Sequence, residues 1–362
     1  MKSFIRQEIA LPVGLLTLLF FKTLGSDLLT EATPLAVYLP VSLALLAIVT
    51  WAIFSVVRHS DALAIKLGEP FGTLILTLSV ISLEVVMISS VMLTGDPNPT
   101  MARDTMFAVV MLVTNGLVGF TLLFGGWRYH TQNFNLDGVK SYLVAIIPLA
   151  LLCLVLPNFT RGGTLGSMSS AMSWMLIIIS VLLYGVFLLI QTRSHSHFFV
   201  DSDHEEHHGI LRSNVYHTLL LLAYLVVVIL LAKTLAIPIN YGVHVLEAPA
   251  ALGGFIVACI VLAPEAVGAI KAAFNNQLQR AMNLYFGSVL ATIALTVPSV
   301  LFIGSLLGQE VRLGLSAADM VLLITTLMVC KVTFSSGRTN VLHGATHLVL
   351  FVVYLFLMFE HE

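Results

Sequence analysis

The chain has 362 residues, 58% of them hydrophobic and 10% charged, with a formal net charge of −2. A soluble domain carries about 25% charged residues, so this chain has too little polar side chain to cover a water-facing globule. The small net charge gives no footprint for nucleic acid or a strongly acidic partner.

The start, Met1 to Leu24, places Lys2 and Arg6 ahead of a short apolar run, like a signal peptide. Lys22 and Thr23 follow it in place of a small-x-small cleavage site, so it reads as an uncleaved first span. A span needs about 20 mostly apolar residues. Eleven runs qualify, near 8–24, 35–57, 72–93, 104–126, 141–157, 172–191, 215–236, 248–270, 282–304, 318–334 and 342–359. Between them lie turn signals such as Thr33-Pro34, Gly68-Glu69-Pro70, Gly95-Asp96-Pro97-Asn98-Pro99 and Arg161-Gly162-Gly163. The fold class expected is an all-α polytopic membrane protein. Cys153, Cys259 and Cys330 fall inside apolar runs without paired spacing, which argues against disulfides or a zinc site.

With the N-terminus in the cytoplasm, 12 Lys and Arg fall at inside ends and 5 at outside ends. That is a positive-inside asymmetry, and it puts the C-terminus outside. The one long connection, 192–214, holds His195, His197, Asp201, Asp203, His204, Glu205, Glu206, His207 and His208. It is a candidate cytoplasmic regulatory loop, because histidine titrates near neutrality. Five spans precede it after the first, and five follow. An odd number per half makes equivalent helices run antiparallel, as in the inverted repeats of secondary transporters. The expected organisation is an N-terminal helix and loop over 1–34, a first five-helix repeat over 35–191, the linker 192–214, and a second five-helix repeat over 215–362.

Two acidic residues of 19 lie deep in apolar sequence: Glu84 and Glu265. A charge near the bilayer centre costs roughly 2.5–3.5 kcal/mol on insertion scales, so both are candidate ion-binding residues. Each sits on the second span of its half. The helix around Glu84 is rich in hydroxyls, Ser79 among them, and Pro264 beside Glu265 should kink or break its helix. Each is followed by an arginine-bearing link and a span with small polar residues, Thr114-Asn115-Gly116 in one half and Gly287-Ser288 with Thr292 in the other. Glu69 and Glu247 precede prolines at span starts and are candidate mouth carboxylates. His343 and His347 have zinc-ligand spacing but no evident third ligand, which favours a packing or hydrogen-bonding role. Asn275, Asn276 and Arg280 fit a turn between spans. Two carboxylates that repel when both are ionised favour a proton or a cation, and competition between the two is the minimal chemistry of an antiporter.

At Leu83-Glu84-Val85-Val86 with Thr114-Asn115-Gly116, and at Pro264-Glu265 with Phe286-Gly287-Ser288, the chain resembles the Ca²⁺/cation antiporter superfamily, most closely its cation/proton exchanger branch. Arg58-His59-Ser60-Asp61, Gly68-Glu69-Pro70-Phe71-Gly72, Asn275 to Asn283, and Ser335 to Leu342 resemble the bacterial ChaA-type antiporters. The resemblance covers about residue 35 to the end. It implies an extra first helix, two five-helix repeats and an acidic linker in a bacterial inner membrane. It implies Glu84 and Glu265 as the residues binding cation and proton near the midplane, with Asn115 and Ser288 lining the site. It implies export of Ca²⁺, Na⁺ or K⁺ against protons by alternating access, with no resident cofactor and with cations, protons and lipid as partners. The family's Gly-Asn-x-x-Glu pattern is absent: Val80-Ile81 and Val261-Leu262 stand there. The rival readings are an intramembrane enzyme and a cation channel. The chain lacks His-Glu-x-x-His and paired aspartates, and two inverted halves suit alternating access better than a continuous filter.

Overall fold

The computed structural model describes residues 8–30, 32–68, 71–93, 98–160, 166–199, 212–245 and 247–360. Among these residues lie eleven helices. They are α1 (Ala10–Thr23), α2 (Leu35–Leu67), α3 (Phe71–Leu93), α4 (Met101–Tyr129), α5 (Leu136–Leu154), α6 (Ser170–Ser194), α7 (Asn214–His244), α8 (Ala250–Phe274), α9 (Leu278–Leu307), α10 (Ala317–Thr333) and α11 (Val341–Glu360). Nine of the described helices are long and apolar enough to cross a membrane, while α1 and α10 are shorter at 14 and 17 residues. Side chains set several helix starts. Asn135 Oδ1 accepts from the Asp137 and Gly138 amides at α5. Ser213 Oγ accepts from Tyr216 N–H at α7, and Ser316 Oγ from Asp319 N–H at α10. Gly68 and Gly308, both at φ +65°, close α2 and α9.

Three expectations change. The apolar run 35–57 understates α2, which continues to Leu67 and carries Arg58, His59, Ser60, Asp61 and Lys66 within the helix. A helix does not stop where its hydrophobicity stops; it stops at Gly68. The run 215–236 likewise understates α7, which reaches His244. Finally, Pro264 does not break α8, which is helical from Ala250 to Phe274. The irregularities sit instead in α4, α6 and α9, where the backbone widens into π turns at Leu112–Leu117, Ile190–Ser194 and Thr292–Thr296.

The chain divides into two compact units, each drawing on both halves of the sequence. The first comprises α1, α2, α3, α7 and α8 as far as Pro264. In it α2 packs along α7, with α1 and α3 against both. Tyr38 stacks on Tyr241 at 4.1 Å between ring centres, and His59 meets His217 at the other end. The early residue of one helix meets the late residue of the other, so α2 and α7 run antiparallel.

The second unit comprises α4, α5, α6, the remainder of α8, α9, α10 and α11. Here the π turn of α4 packs on the first part of α9, and the π turn of α9 packs on the first part of α4. Thr121 and Tyr285 share a hydrogen bond of 2.8 Å along the same contact. These helices also run antiparallel. A two-residue ladder pairs Gln132 with Thr339 and Asn133 with Arg338. Outward faces stay apolar: Ile178, Leu182, Val186 and Leu189 on α6, and Val321, Met328 and Val332 on α10, are exposed. Such continuous apolar surface belongs against lipid.

The α4–α11 crossing depends on absent side chains. A Cβ on Gly344 would strike the backbone of Leu123, and one on Gly119 would lie 2.9 Å from the Leu348 amide nitrogen. Small residues at such crossings let two backbones approach within a membrane. Backbone cannot give way as a flexible side chain can. Gly344→Ala is therefore expected to destabilise the folded protein by roughly 1–3 kcal/mol, read as a lower melting temperature in detergent. Gly185→Ala, where a Cβ meets nothing within 4 Å, should not lower it, since alanine favours a helix interior over glycine, and serves as the control.

Candidate functional site

Glu84 lies in the middle of α3 and is 3% exposed. The positions one turn away on its face, Val80, Ile81, Met87 and Ile88, are all buried and all apolar. Glu84 thus belongs to the inward stripe of its helix, flanked one turn either side by hydrocarbon. Two of the hydroxyls that made α3 look polar turn back on it: Ser79 Oγ donates to Ile75 O at 2.7 Å and Ser82 Oγ to Leu78 O at 2.6 Å. Ser79 is itself buried. Glu265 follows Pro264 in α8 and is half-buried. One turn before it, Val261 and Leu262 are buried at 2% and 3% exposure. The two glutamates therefore share a local environment, with hydrocarbon at the third and fourth positions upstream.

Asn115 occupies the π turn of α4 and is fully buried. Its amide nitrogen donates to Thr326 Oγ1 at 2.8 Å and approaches Met111 Sδ at 3.4 Å. Its oxygen lies 3.0 Å from His347 Nδ1, and His347 Nε2 lies 3.1 Å from Thr333 Oγ1. The structure thus joins α4, α10 and α11 through one buried polar chain. An amide oxygen only accepts, so His347 donates from Nδ1 and the Thr333 hydroxyl meets Nε2. Sequence reasoning anticipated a hydrogen-bonding role for His347. It missed Thr326 and Thr333, whose signal is a hydroxyl on the inward face of an apolar helix.

The π turns have a local logic. Insertion of one extra residue per turn leaves backbone carbonyls less regularly paired, and such bulges recur at functional sites. The turn in α4 holds Thr114, Asn115 and Gly116; the turn in α9 begins at Thr292, which is buried. Ser288 lies half-buried one turn before it. Glu247 is exposed, with a left-handed backbone at φ +53° ahead of α8. Glu69 and the loop residues Asp201, Asp203, His204, Glu205, Glu206, His207 and His208 lie outside the described residues. His195 and His197 are exposed in the turns after α6. No cluster of three or more His, Cys, Asp or Glu suited to a metal ion occurs among the described residues.

Nine long apolar helices, with a carboxylate and an amide buried mid-helix, define a multi-pass membrane protein with polar groups committed to its interior. A family model described as sodium/calcium exchanger protein matches residues 37–193 and again 216–360, and the chain belongs to that family. It is a transporter family, not one of enzymes. The chain is 48% identical over 331 residues to the sodium-potassium/proton antiporter ChaA of Escherichia coli (strain K12), covering 88% of each chain. Its fold is that of native YfkE, with a TM-score of 0.74 at 19% identity, covering 98% of this chain and 99% of that one. The H⁺/Ca²⁺ exchanger CAX has the same fold, with a TM-score of 0.70 at 14% identity, covering 98% and 89%.

The buried chain through Asn115 makes a direct expectation. Thr326→Val removes the acceptor of a fully buried amide donor and should cost about 1–2 kcal/mol, measured by thermal unfolding in detergent. Thr325→Val, where the hydroxyl bonds back to Val321 O, should stay within about 0.5 kcal/mol of the parent.

Proposed function

We propose that the protein is a secondary antiporter that moves Na⁺ or K⁺, and to a lesser extent Ca²⁺, against protons. Glu84 and Glu265 are the carboxylates for which cation and proton compete. The carrying observation is the shared setting of the two: each is an ionisable group on an apolar transmembrane helix, with buried hydrocarbon one turn upstream. An intramembrane carboxylate is costly unless its charge is periodically neutralised by a proton or a cation. The duplicated match of the family model and the antiparallel pairs α2/α7 and α4/α9 support two inverted repeats. Alternating access follows from such a plan. The orientation is N-terminus inside and C-terminus outside, supported by the distribution of Lys and Arg.

The cation preference rests on ligand count. Ca²⁺ takes six to eight oxygens, commonly about 7. Ile81 and Leu262 stand where the superfamily pattern carries amides, so two oxygen ligands are missing beside the carboxylates. A monovalent cation tolerates that loss better, because it repays less dehydration. The name of the Escherichia coli relative points the same way.

In proteoliposomes carrying a pH-sensitive dye, Glu84→Gln and Glu265→Gln should each abolish cation-driven proton movement while leaving the detergent-solubilised protein folded. Retained exchange in both would end this reading, and cation flux uncoupled from protons would favour a channel. Restoring the amides with Ile81→Asn and Leu262→Asn together should raise Ca²⁺ transport relative to Na⁺ by roughly tenfold, equivalent to about 1.4 kcal/mol. The measurement is the ratio of the two initial rates.

A further inference from the structure

The first unit holds a second set of buried titratable groups that the glutamates do not use. The Glu8 carboxylate, just ahead of α1, gathers four donors. Oε2 takes Arg58 Nη2 at 2.8 Å, Tyr224 Oη at 3.0 Å and His59 Nε2 at 3.3 Å; Oε1 takes Tyr216 Oη at 3.0 Å. His59 Nδ1 then lies 3.0 Å from His217 Nδ1, and the Arg212 backbone amide lies 3.3 Å from His217 Nε2. His59 is 1% exposed and His217 7%. Burial pushes the Glu8 carboxyl up, but the Arg58 guanidinium, the Tyr216 hydroxyl and His59 outweigh it and hold Glu8 below the usual carboxylate range. Glu8 is therefore an ionised, accept-only partner.

One end of this chain assigns every proton in it. A backbone amide can only donate, so His217 Nε2 carries a lone pair. In a neutral ring Nδ1 then holds the hydrogen and donates to His59 Nδ1. His59 must keep a lone pair there and carry its hydrogen on Nε2, where Glu8 accepts it. Arg58 Nη2 also lies 3.3 Å from His59 Nε2. If it donated there, His59 would donate from Nδ1, and His217 would point an N–H at the Arg212 amide. That puts two donors face to face, so the first arrangement holds. Both rings are neutral, and both lone pairs are in use.

We propose that Glu8, His59 and His217 form a second proton-binding site, through which the pH at the face bearing the N-terminal segment sets the rate of exchange. A proton arriving from water has two places to bind. On His217 Nε2 it displaces the Arg212 amide; on His59 Nδ1 it displaces His217. Either event breaks the chain that ties the N-terminal segment and the start of α7 to α2. Lys66 Nζ, which donates to the Arg212 carbonyl, belongs to the same tie. The groups facing the pair are Glu8 ahead of α1, Arg58 and Lys66 on α2, Arg212 just ahead of α7, and Tyr216 and Tyr224 within α7. Of the other packed helices, α3 carries Glu84 as its one ionisable residue and α1 carries Lys22 in its last turn. The direction rests on the antiport reading above: an exchanger that brings protons in should slow when that side is already acid. The unbroken chain is the active form.

The test is the exchange rate in proteoliposomes, with the pH stepped from about 8 to about 5.5 at constant driving gradient. The parent should slow by roughly tenfold beyond what competition at the glutamates produces. His217→Gln can accept from Arg212 and donate to His59 but takes up no proton. It should keep the parent rate at high pH and lose the added fall. His59→Gln, accepting from His217 and donating to Glu8, is the second variant should the first misfold. A pH profile unchanged in both overturns the proposal. Hydrogen–deuterium exchange over residues 212–224, corrected for intrinsic rates, reads the site without transport. The parent should lose protection at low pH and His217→Gln should not. If the parent transports nothing yet shows this step, the antiport reading fails and the proton site stands; if the parent shows no step, the proton site fails.

Discussion

Backbone amides and carbonyls cannot be left unpaired in hydrocarbon, where no water replaces a missing partner. That constraint turns a 58% hydrophobic chain into helices, eleven of them among the described residues, and the remaining features are departures from it. Pro40, Pro148, Pro238 and Pro264 each remove one backbone donor, yet α2, α5, α7 and α8 remain continuous through them. Three π turns occur among the described residues, and those in α4 and α9 fall where Asn115 and Thr292 lie. Hydroxyls serve the backbone at two of these turns, where Thr114 Oγ1 donates to Val110 O and Thr192 Oγ1 to Leu188 O.

The crossing of α4 and α11 shows how packing prepares chemistry. Gly119 and Gly344 let the backbones meet, and that proximity brings His347 on α11 within 3.0 Å of the Asn115 oxygen. Larger residues would separate the helices and leave a buried amide half satisfied. Such a group costs about 1–3 kcal/mol. Thr326 on α10 and Thr333 at its end complete the chain. The glycines have no polar atoms in their side chains, yet they decide whether the polar groups find one another.

Of the eleven apolar runs, nine correspond to described helices long and apolar enough to span a membrane. The order and approximate position of the helices were legible in the sequence, because a run of about 20 apolar residues has few alternatives. The extension of α2 past residue 57 was not. Arg58 to Asp61 fell outside the apolar run, since their polarity is locally unpaired; only distant partners, Glu8 51 residues before it and His217 158 residues after it, explain the buried His59. Glu84 stood out because a carboxylate in an apolar run is conspicuous by itself. Thr326 did not, because a threonine in a helix is unremarkable until its inward direction is known. Pro264 misled for a related reason: a proline announces a missing donor, but whether the helix breaks is decided by its neighbours. The π turns carry no composition signal at all.

The two buried histidine chains differ in a way that decides which can respond to pH. His347 Nε2 faces the hydroxyl of Thr333. A hydroxyl can donate to a lone pair or turn and accept from an N–H, so a change of protonation there can be absorbed by rotating one bond. His217 Nε2 faces the Arg212 backbone amide, which donates in every conformation. A proton added at that nitrogen has nowhere to point. The next nitrogen along, His59 Nδ1, is filled by His217, and the last, Nε2, already donates to Glu8. The chain in the second unit can therefore serve as a fixed support for Asn115, whereas the chain in the first unit can exist only with both rings neutral. The difference comes from one acceptor's partner: a side-chain hydroxyl in one case and a backbone amide in the other.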